Sequence, residues 1–394
     1  MGLSQTRRIV SMLATLLMIG SPAASADAAR DKQWPLQVYG AALDLWPIAT
    51  GKGQIVAVID TGFRTTHVDL TGQFLPGEDF ASSNYNEASN ASHGTMMASL
   101  IAGHGHGPGG SDGIMGLAPG VKILPLVVDL QNHDNDLEIA EAIRYAVSHG
   151  AGVINMSLGD ADSSTVEQSA VAYAEAHNVV LVAGSGNDGI EVDNYPASYP
   201  GVVDVGGSNQ DGSIWSGSDY GPHIVLVGPA SNVLGDDSGT DTQYALGDGT
   251  SGATAYISAA AALVRARFPG LTAGQVINRL IRTAAQPGRG TRDLHYGYGI
   301  ARPDRALTAS IPAGPPGGPL PQATDPLAPA SALAAAPEAK ATGGRVPEGL
   351  LWLCLGAVAA VGCVVFAAAR LPRRRRRGRE REKGQGPFAE AKGP

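Results

Sequence analysis

The sequence contains little cysteine and few aromatic residues. Only two of its 394 residues are cysteines, Cys354 and Cys363, and both lie in one apolar run near the C-terminus. The rest of the chain can therefore form no disulfide, which excludes a small disulfide-stabilised scaffold. Aromatic residues make up 5% of the chain, so aliphatic side chains must fill most of the hydrophobic core. We find no internal repeat, which argues against a solenoid.

Positive charge is scarce except at the C-terminus. The last 25 residues carry a net charge of +7, whereas the rest of the chain carries −15. The arginine run could suggest nucleic-acid binding, but its position favours a membrane role, and we expect no nucleic-acid partner. The arginine run directly follows the apolar segment, where basic residues contact anionic membrane lipid and fix the topology.

Two segments indicate export and membrane anchoring. Two arginines precede the apolar run "IVSMLATLLMIG", and the small residues Ala24-Ser25-Ala26 follow it, a pattern typical of a secretory signal peptide. Residues 349–369 contain no charge and would measure about 31 Å as a helix, enough to cross a bilayer. Because positive flanks stay in the cytoplasm, we predict a single-pass protein of the cell membrane. Its large domain is extracytoplasmic and its C-terminus is cytoplasmic.

Composition divides the chain into six segments. Residues 311–348 are rich in alanine, proline and glycine and have too few large apolar side chains to form a core, so they indicate a semi-extended tether. The predicted segments are a signal peptide at 1–26, an N-terminal extension at 27–53, one folded domain at 54–310, the tether at 311–348, a transmembrane helix at 349–369 and a basic cytoplasmic tail at 370–394.

The folded domain alternates between two kinds of apolar pattern. Short β-branched runs such as "QIVAVID", "GVINMSL" and "NVVLVAGSG" alternate with helical patterns such as "DNDLEIAEAIRYAVSHG". Continuous apolar strands separated by segments of helix length indicate a parallel sheet that is buried on both faces. We therefore predict an α/β fold of three layers, with a mostly parallel central sheet and helices on both faces. In such sheets functional sites form beyond the carboxyl ends of the strands.

Three polar residues lie at predicted element boundaries beside glycines. Asp60 ends the strand "QIVAVID", His93 opens the apparent helix "SHGTMMASLIAG", and Ser251 lies between glycines and a long alanine-rich helix. Each has an ordinary structural interpretation, as a turn residue, a structural histidine or a helix N-cap. Together they supply what nucleophilic catalysis needs: a hydroxyl, an imidazole that titrates near neutrality and a carboxylate that orients it. Asn187, in "LVAGSGNDG", adds a donor for an oxyanion.

The motifs resemble those of subtilisin-family serine peptidases. The matching pieces are "VAVIDTG", "SHGTMMASLIAG", "GVINMSLG", "GSGNDG" and "GTSGATAYISAAAALV", in the family's order. The resemblance implies that Asp60 orients the base His93, that Ser251 is the nucleophile and that Asn187 donates to the oxyanion. It also implies a substrate-binding edge and a first specificity pocket, formed by Ser157, Leu158, Gly159, Ala183, Gly184, Ser185 and Gly186.

The signal peptide, tether and C-terminal span resemble more narrowly the mycosins, membrane-anchored proteases associated with type VII secretion. This resemblance implies an endopeptidase that cleaves exported proteins through an acyl-enzyme, beside a type VII secretion membrane complex. The alternative is a protease-like scaffold that stabilises such a complex. A pepsin-like enzyme with Asp60 and Asp237 as paired aspartates is not expected, because such an enzyme has two β-rich lobes and this chain is rich in helical patterns.

We assign no metal ligands and expect catalysis to require no cofactor. His104 and His106 lie in a glycine-rich stretch that we interpret as a solvated loop. Asp134, Asp136 and Glu138 precede a predicted helix, where acidic residues favourably meet the helix dipole. The resemblance allows a structural calcium ion at a place that the sequence does not define.

The N-terminal extension is too short for a separately folded inhibitory prodomain. We expect it to wrap around the catalytic domain, so that its removal is not needed for activity. The apolar side chains expected to pack on the domain are Trp34, Leu36, Val38, Leu43 and Trp46.

Overall fold

A computed structural model describes residues 28–81, 91–130, 135–286 and 292–328. The predicted signal peptide at 1–26, the transmembrane helix at 349–369 and the tail at 370–394 lie outside these ranges. Within them, no helix combines the length and the apolar character needed to cross a membrane.

A seven-stranded sheet forms the centre of the domain. Its strand order is β2-β5-β1-β6-β7-β8-β9, and every neighbouring pair is parallel. Two antiparallel pairs, β3 with β4 and β10 with β11, lie outside it. The strands are β1 Ile55–Asp60, β2 Glu78–Asp79, β3 His104–His106, β4 Asp112–Met115, β5 Lys122–Val127, β6 Val153–Met156, β7 Val180–Gly184, β8 Val202–Ser208, β9 Leu226–Pro229, β10 Val233–Asp236 and β11 Tyr244–Gly247.

Helices connect the strands and account for most of the remaining regular structure. A π-helical turn, Ala41–Leu45, and two 3₁₀ turns, Val68–Leu70 and Pro108–Gly110, complete it. The helices are α1 Ala28–Asp31, α2 Trp34–Val38, α3 Ser92–Ala102, α4 Asp136–Ser148, α5 Thr165–Ala176, α6 Thr250–Arg267, α7 Ala273–Thr283 and α8 Pro303–Thr308.

The two faces of the sheet have separate cores. Successive side chains of a strand point to opposite faces, and in β1 Val56 and Val58 pack with helices α3 and α6, whereas Ala57 and Ile59 pack with α4 and α5. All four side chains are fully buried. The predicted α/β fold with a mostly parallel central sheet is therefore confirmed, with helices against both faces.

The N-terminal segment lies against the domain. The indole Nε1 of Trp34 donates to the carbonyl oxygen of Ser231 at 3.0 Å, and that of Trp46 donates to the carbonyl oxygen of Leu117 at 3.0 Å. Leu36 is buried in the core on the α6 side of the sheet.

Two of the five apolar side chains expected to pack there do not. Val38 is 50% exposed and Leu43 is 84% exposed. The expectation of packing was wrong for them, because the short helical turns of this segment present only one side to the domain.

The first residues of the predicted tether are also held against the domain. The side chains of Gln275 and Asn278 on α7 donate to the carbonyl oxygens of Gly314 at 3.0 Å and Ala313 at 2.9 Å. Further along, the backbone N–H of Ala323 donates to the carboxylate of Glu175 at 2.6 Å. Residues 313–323 therefore lie along α7 and α5. Their backbone groups have no strand or helix partners, and helix side chains form hydrogen bonds with them instead.

Candidate active site

Asp60 and His93 meet at the carboxyl edge of the sheet. Asp60 is the last residue of β1 and is fully buried, and His93 is the second residue of α3. The imidazole Nδ1 lies 2.9 Å from each carboxylate oxygen of Asp60. Gly94 permits this approach, because a Cβ there would lie 2.3 Å from the carbonyl oxygen of Gly62.

The carboxylate of Asp60 has further donors. The backbone N–H of Thr61 donates to Oδ1 at 2.7 Å, and the Thr61 hydroxyl lies 3.2 Å from the same atom. Burial by itself would lower the pKa of His93, but the charge of Asp60 and its hydrogen bond outweigh burial and raise the pKa. The pair therefore favours an imidazole that accepts a proton and is stabilised once it carries a positive charge.

Ser251 lies in the first turn of α6 but does not cap it. The helix begins at Thr250, and its N-cap is Gly249, whose φ of 154° favours glycine. The Ser251 hydroxyl donates to the carbonyl oxygen of Ser157 at 3.4 Å. The interpretation of Ser251 as an ordinary N-cap is therefore wrong, and its hydroxyl faces the loop that follows β6.

Asn187 follows β7 and is oriented by Thr250. Its Oδ1 accepts hydrogen bonds from the Thr250 backbone N–H at 2.8 Å and from the Thr250 hydroxyl at 3.1 Å. In the described part of the chain, its Nδ2 has no partner, and the residue is exposed. The amide therefore keeps its donor end free. The sequence motif contained Thr250, directly before Ser251, but we did not predict its orienting role.

One cleft brings these groups together. It has a volume of about 380 Å³, and His93, Asn187, Thr250 and Ser251 line it, whereas Asp60 lies behind His93. No hydrogen bond between His93 and Ser251 occurs among the described residues, and such catalytic bonds are often long without substrate. Residues at the carboxyl ends of β1, β6 and β7 therefore line one cleft.

Most of the predicted substrate-binding residues line this cleft. They are Ser157, Leu158, Gly159, Gly184 and Gly186. Ala183 and Ser185 do not line it. The Ala183 side chain is fully buried in the core on the α4 side, and the Ser185 hydroxyl donates to the carbonyl oxygen of Asp219 at 3.1 Å.

Several cleft residues were not predicted from the sequence, because they lie outside the motifs that resemble those of subtilisin-family peptidases. They are Leu130, Asn135, Ile139, Asp160, Glu167, Asn194 and Tyr195.

The buried carboxylate of Asp219 also went unpredicted, and it shapes one wall. It accepts bonds from the backbone N–H groups of Asp188 at 2.9 Å and Ile190 at 3.0 Å, and from the Asn194 amide at 3.1 Å. It therefore holds the loop after Asn187.

A second polar cluster has the side chains that a metal ion would need. His67, Asp69 and Asp236 are all buried, with potential ligand atoms within 4.8 Å of one another. Burial would lower the pKa of His67, but its hydrogen bond to Asp236 and the charge of Asp236 raise it. Burial raises the pKa of Asp236 to about 7, and His67 Nδ1 lies 3.0 Å from Asp236 Oδ2, so the two side chains form a buried hydrogen-bonded pair.

The histidines that we interpreted as part of a solvated loop are tied to the domain. His106 Nδ1 lies 2.7 Å from Asp69 Oδ1, and His104 Nε2 contacts the carbonyl oxygen of Thr71 at 2.9 Å. Both residues belong to β3. The loop interpretation was wrong, because the partners lie more than 30 residues away in the sequence and give no local signal.

Comparisons with known proteins agree on one family. The model of the subtilase family of S8 peptidases matches residues 51–299. Mycosin-1 of Mycobacterium tuberculosis (strain ATCC 25618 / H37Rv) is 34% identical over 348 residues, which cover 73% of this chain and 76% of mycosin-1. A thermostable alkaline protease of Halalkalibacterium halodurans is 35% identical over 257 residues, 65% of this chain and 68% of that protease.

Solved structures lead to the same family. A crystal structure of MycP1 from Mycobacterium smegmatis matches with a TM-score of 0.62 and 28% identity, covering 73% of this chain and 87% of that one. Some relatives are much longer: the match covers 54% of a thermophilic serine proteinase from Bacillus sp. (strain AK1) and 44% of fervidolysin from Fervidobacterium pennivorans. With the family model covering more than half of its length, and with named serine proteases and mycosins among its relatives, this chain belongs to the subtilase family of serine peptidases.

Proposed function

We propose that this subtilase is a membrane-anchored, extracytoplasmic endopeptidase that uses Asp60, His93 and Ser251 as a catalytic triad. The contact of His93 Nδ1 with both oxygens of the buried Asp60, in the cleft that contains Ser251, carries this proposal. A peptide bond is its substrate.

The residues divide the reaction between them. Ser251 Oγ attacks the scissile carbonyl carbon while its proton passes to His93 Nε2, and Asp60 stabilises the resulting imidazolium. His93 then returns the proton to the amide nitrogen as the C–N bond breaks, which releases the amine and leaves an acyl-enzyme. Water, activated by His93, hydrolyses the ester. The Asn187 amide and the Ser251 backbone N–H donate to the oxyanion.

Active-site labelling tests the triad. Full-length protein should react with a fluorophosphonate probe, and Ser251→Ala should abolish labelling without changing the thermal unfolding temperature. Ser148→Ala, which removes an exposed hydroxyl on α4, serves as the control and should label normally. If correctly folded wild-type protein takes up no probe, the chain acts as a protease-like scaffold instead.

The membrane anchoring is supported by the uncharged run at 349–369 and its arginine flank. Protease added to spheroplasts should digest the catalytic domain and spare a tag at the C-terminus. A tag digested from outside would refute this orientation.

The link to type VII secretion is supported by the relatives. One similar structure is MycP1 from the ESX-1 type VII secretion system, and we propose that this chain likewise acts beside such a complex on exported proteins. Mass spectrometry of the exported proteins should detect new N-termini that vanish in Ser251→Ala cells. An unchanged set of N-termini would contradict this substrate class.

A further inference from the structure

A buried carboxyl group, that of Glu167, lines the part of the cleft that we call the Glu167 arm. Glu167 is the third residue of α5 and is 4% exposed, yet it lines the cleft that contains His93 and Ser251. The spacing Ser164-x-x-Glu167 is typical of a capping box, in which the glutamate binds the backbone N–H of the N-cap serine. Here that N–H donates to the Tyr199 hydroxyl at 2.6 Å instead. The Glu167 carboxyl group is therefore released from its usual local role.

The Tyr199 hydroxyl is only a weak hydrogen-bond donor to Glu167. It lies 3.0 Å from the carbonyl oxygen of Ser164 and 3.4 Å from Glu167 Oε2. A phenol has one proton to donate, and it donates this proton to the nearer acceptor, the carbonyl oxygen of Ser164. Glu167 Oε1 has no hydrogen-bond partner within the described ranges. A buried carboxyl group with so few donors is unfavourable unless a ligand supplies one.

The surroundings of this carboxyl group are acidic and apolar. Asp160, after β6, lines the cleft together with Leu158 and Ile139, and Asp136, the first residue of α4, is close enough for its charge to act on Glu167. Apart from His93, no basic side chain from the described part of the chain lines the cleft. Among the described residues, a cation entering this arm would thus meet the carboxyl groups of Glu167 and Asp160 and no basic side chain other than His93.

The protonation of Glu167 depends on whether the arm is occupied. Burial raises its pKa to about 8, the charges of Asp136 and Asp160 raise it as well, and the Tyr199 hydrogen bond acts in the opposite direction. At pH 7 the empty arm therefore holds mainly a neutral acid. A bound cation favours the carboxylate, so cation binding releases a proton at pH 7 and becomes easier as the pH rises.

We propose that Glu167 is a specificity residue and that its arm of the cleft binds a lysine or arginine side chain of the peptide substrate. The proposal rests on the proposed peptidase function, because it assumes that a peptide occupies the cleft. It names a substrate class that Ser251 and His93 do not define.

Peptide binding to full-length Ser251→Ala protein tests this without requiring catalysis. Fluorescence anisotropy would measure the Kd of labelled octapeptides in which arginine or its neutral analogue citrulline occupies each position in turn. At one position, arginine should bind about 10- to 100-fold more tightly, the range of a charge-assisted hydrogen bond. This ratio should increase from pH 6.5 to pH 9.

Two further variants identify the group responsible. Adding Glu167→Gln, which keeps the side-chain shape, should reduce the ratio to about one, and thermal unfolding would verify that this variant is folded. Adding Glu141→Gln, an exposed residue on α4 outside the cleft, should leave the ratio unchanged.

The proposal is overturned if no position prefers arginine, or if the preference survives Glu167→Gln. A preference that depends on Glu167, in a protein whose wild type takes up no fluorophosphonate, would support the binding arm and refute the peptidase function. The two proposals therefore fail separately.

Discussion

Replacing Asp60 with asparagine should slow the enzyme and shift the acid side of its pH–rate profile to lower pH. In the wild type, burial lowers the pKa of His93, and the charge and hydrogen bond of Asp60 more than compensate. Asp60→Asn removes the charge, so the pKa of His93 should fall relative to the wild type. Because His93 must be neutral to accept the serine proton, the rise of kcat/KM with pH should occur at lower pH in the variant.

The size of the rate loss follows from the geometry. Unit charges about 4 Å apart interact by about 4 kcal/mol at an effective dielectric constant near 20. The His93 side chain is 40% exposed, so solvent screening reduces this to about 2–4 kcal/mol. The imidazolium formed in the transition state loses this stabilisation, which corresponds to a fall in kcat of about 30- to 1,000-fold. An asparagine amide that faces Nδ1 with its N–H₂ group would also favour the wrong tautomer and add to the loss.

A pH profile of kcat/KM with an uncharged peptide substrate measures both effects. Asp162→Asn, which removes an exposed charge after β6, should leave the profile unchanged. An acid limb that stays in place or moves to higher pH in Asp60→Asn would refute the role given to this contact. So would a variant whose kcat stays within threefold of the wild type.

Three further variants test other contacts. Asn187→Leu should lower kcat by about 10²–10³-fold with little change in KM, because its amide acts mainly in the transition state. Burial raises the pKa of Asp204 to about 8, while its unfolded value is near 4, so the unfolded state binds fewer protons between these values and stability falls as pH rises. Asp204→Asn should therefore stabilise the protein by more than about 1 kcal/mol at pH 8 relative to its effect at pH 4 in chemical denaturation. Arg30→Leu should lower the local stability of the β3–β4 hairpin by about 1–3 kcal/mol in hydrogen exchange, because the guanidinium donates to the carbonyl oxygens of Gly110, Asp112 and Gly113.

For each variant, one result would contradict the role given to the residue. Near-normal turnover in folded Asn187→Leu would remove that amide from the oxyanion site. An Asp204→Asn effect that does not depend on pH would show that the wild-type carboxyl group ionises normally. Unchanged exchange in Arg30→Leu, with Arg30→Lys as the charge-preserving comparison, would show that the hairpin is stable without this side chain.

The sequence predicted the parts of the site that lie at strand ends. Asp60 and Asn187 follow apolar β-branched runs, and in a parallel sheet the carboxyl ends of such runs meet at one edge. That rule, with the glycines beside His93 and Ser251, was enough to place the four residues at one site. Local patterns therefore sufficed wherever the position of a residue depended on its own strand or helix.

Residues whose roles depend on distant partners were not predictable in this way. The pattern Ser164-x-x-Glu167 predicts a local capping box, and only the fold shows that Tyr199, 35 residues after Ser164, takes the N–H. The sequence predicts a solvated loop in place of the β3–β4 hairpin, because the carboxylate that contacts His106 belongs to Asp69, before α3. In both cases a long-range hydrogen bond replaces the local one that the sequence favours.

Asp60 and Glu167 show how one cleft can use two buried carboxyl groups differently. Asp60 accepts hydrogen bonds from the His93 imidazole and from the Thr61 backbone N–H. Glu167 has one long hydrogen-bond contact, with the Tyr199 hydroxyl at 3.4 Å, and it has acidic neighbours. It therefore holds a proton until a cation binds. The supply of hydrogen-bond donors, which burial alone does not reveal, therefore separates a carboxylate that supports chemistry from one that is suited to recognise a substrate.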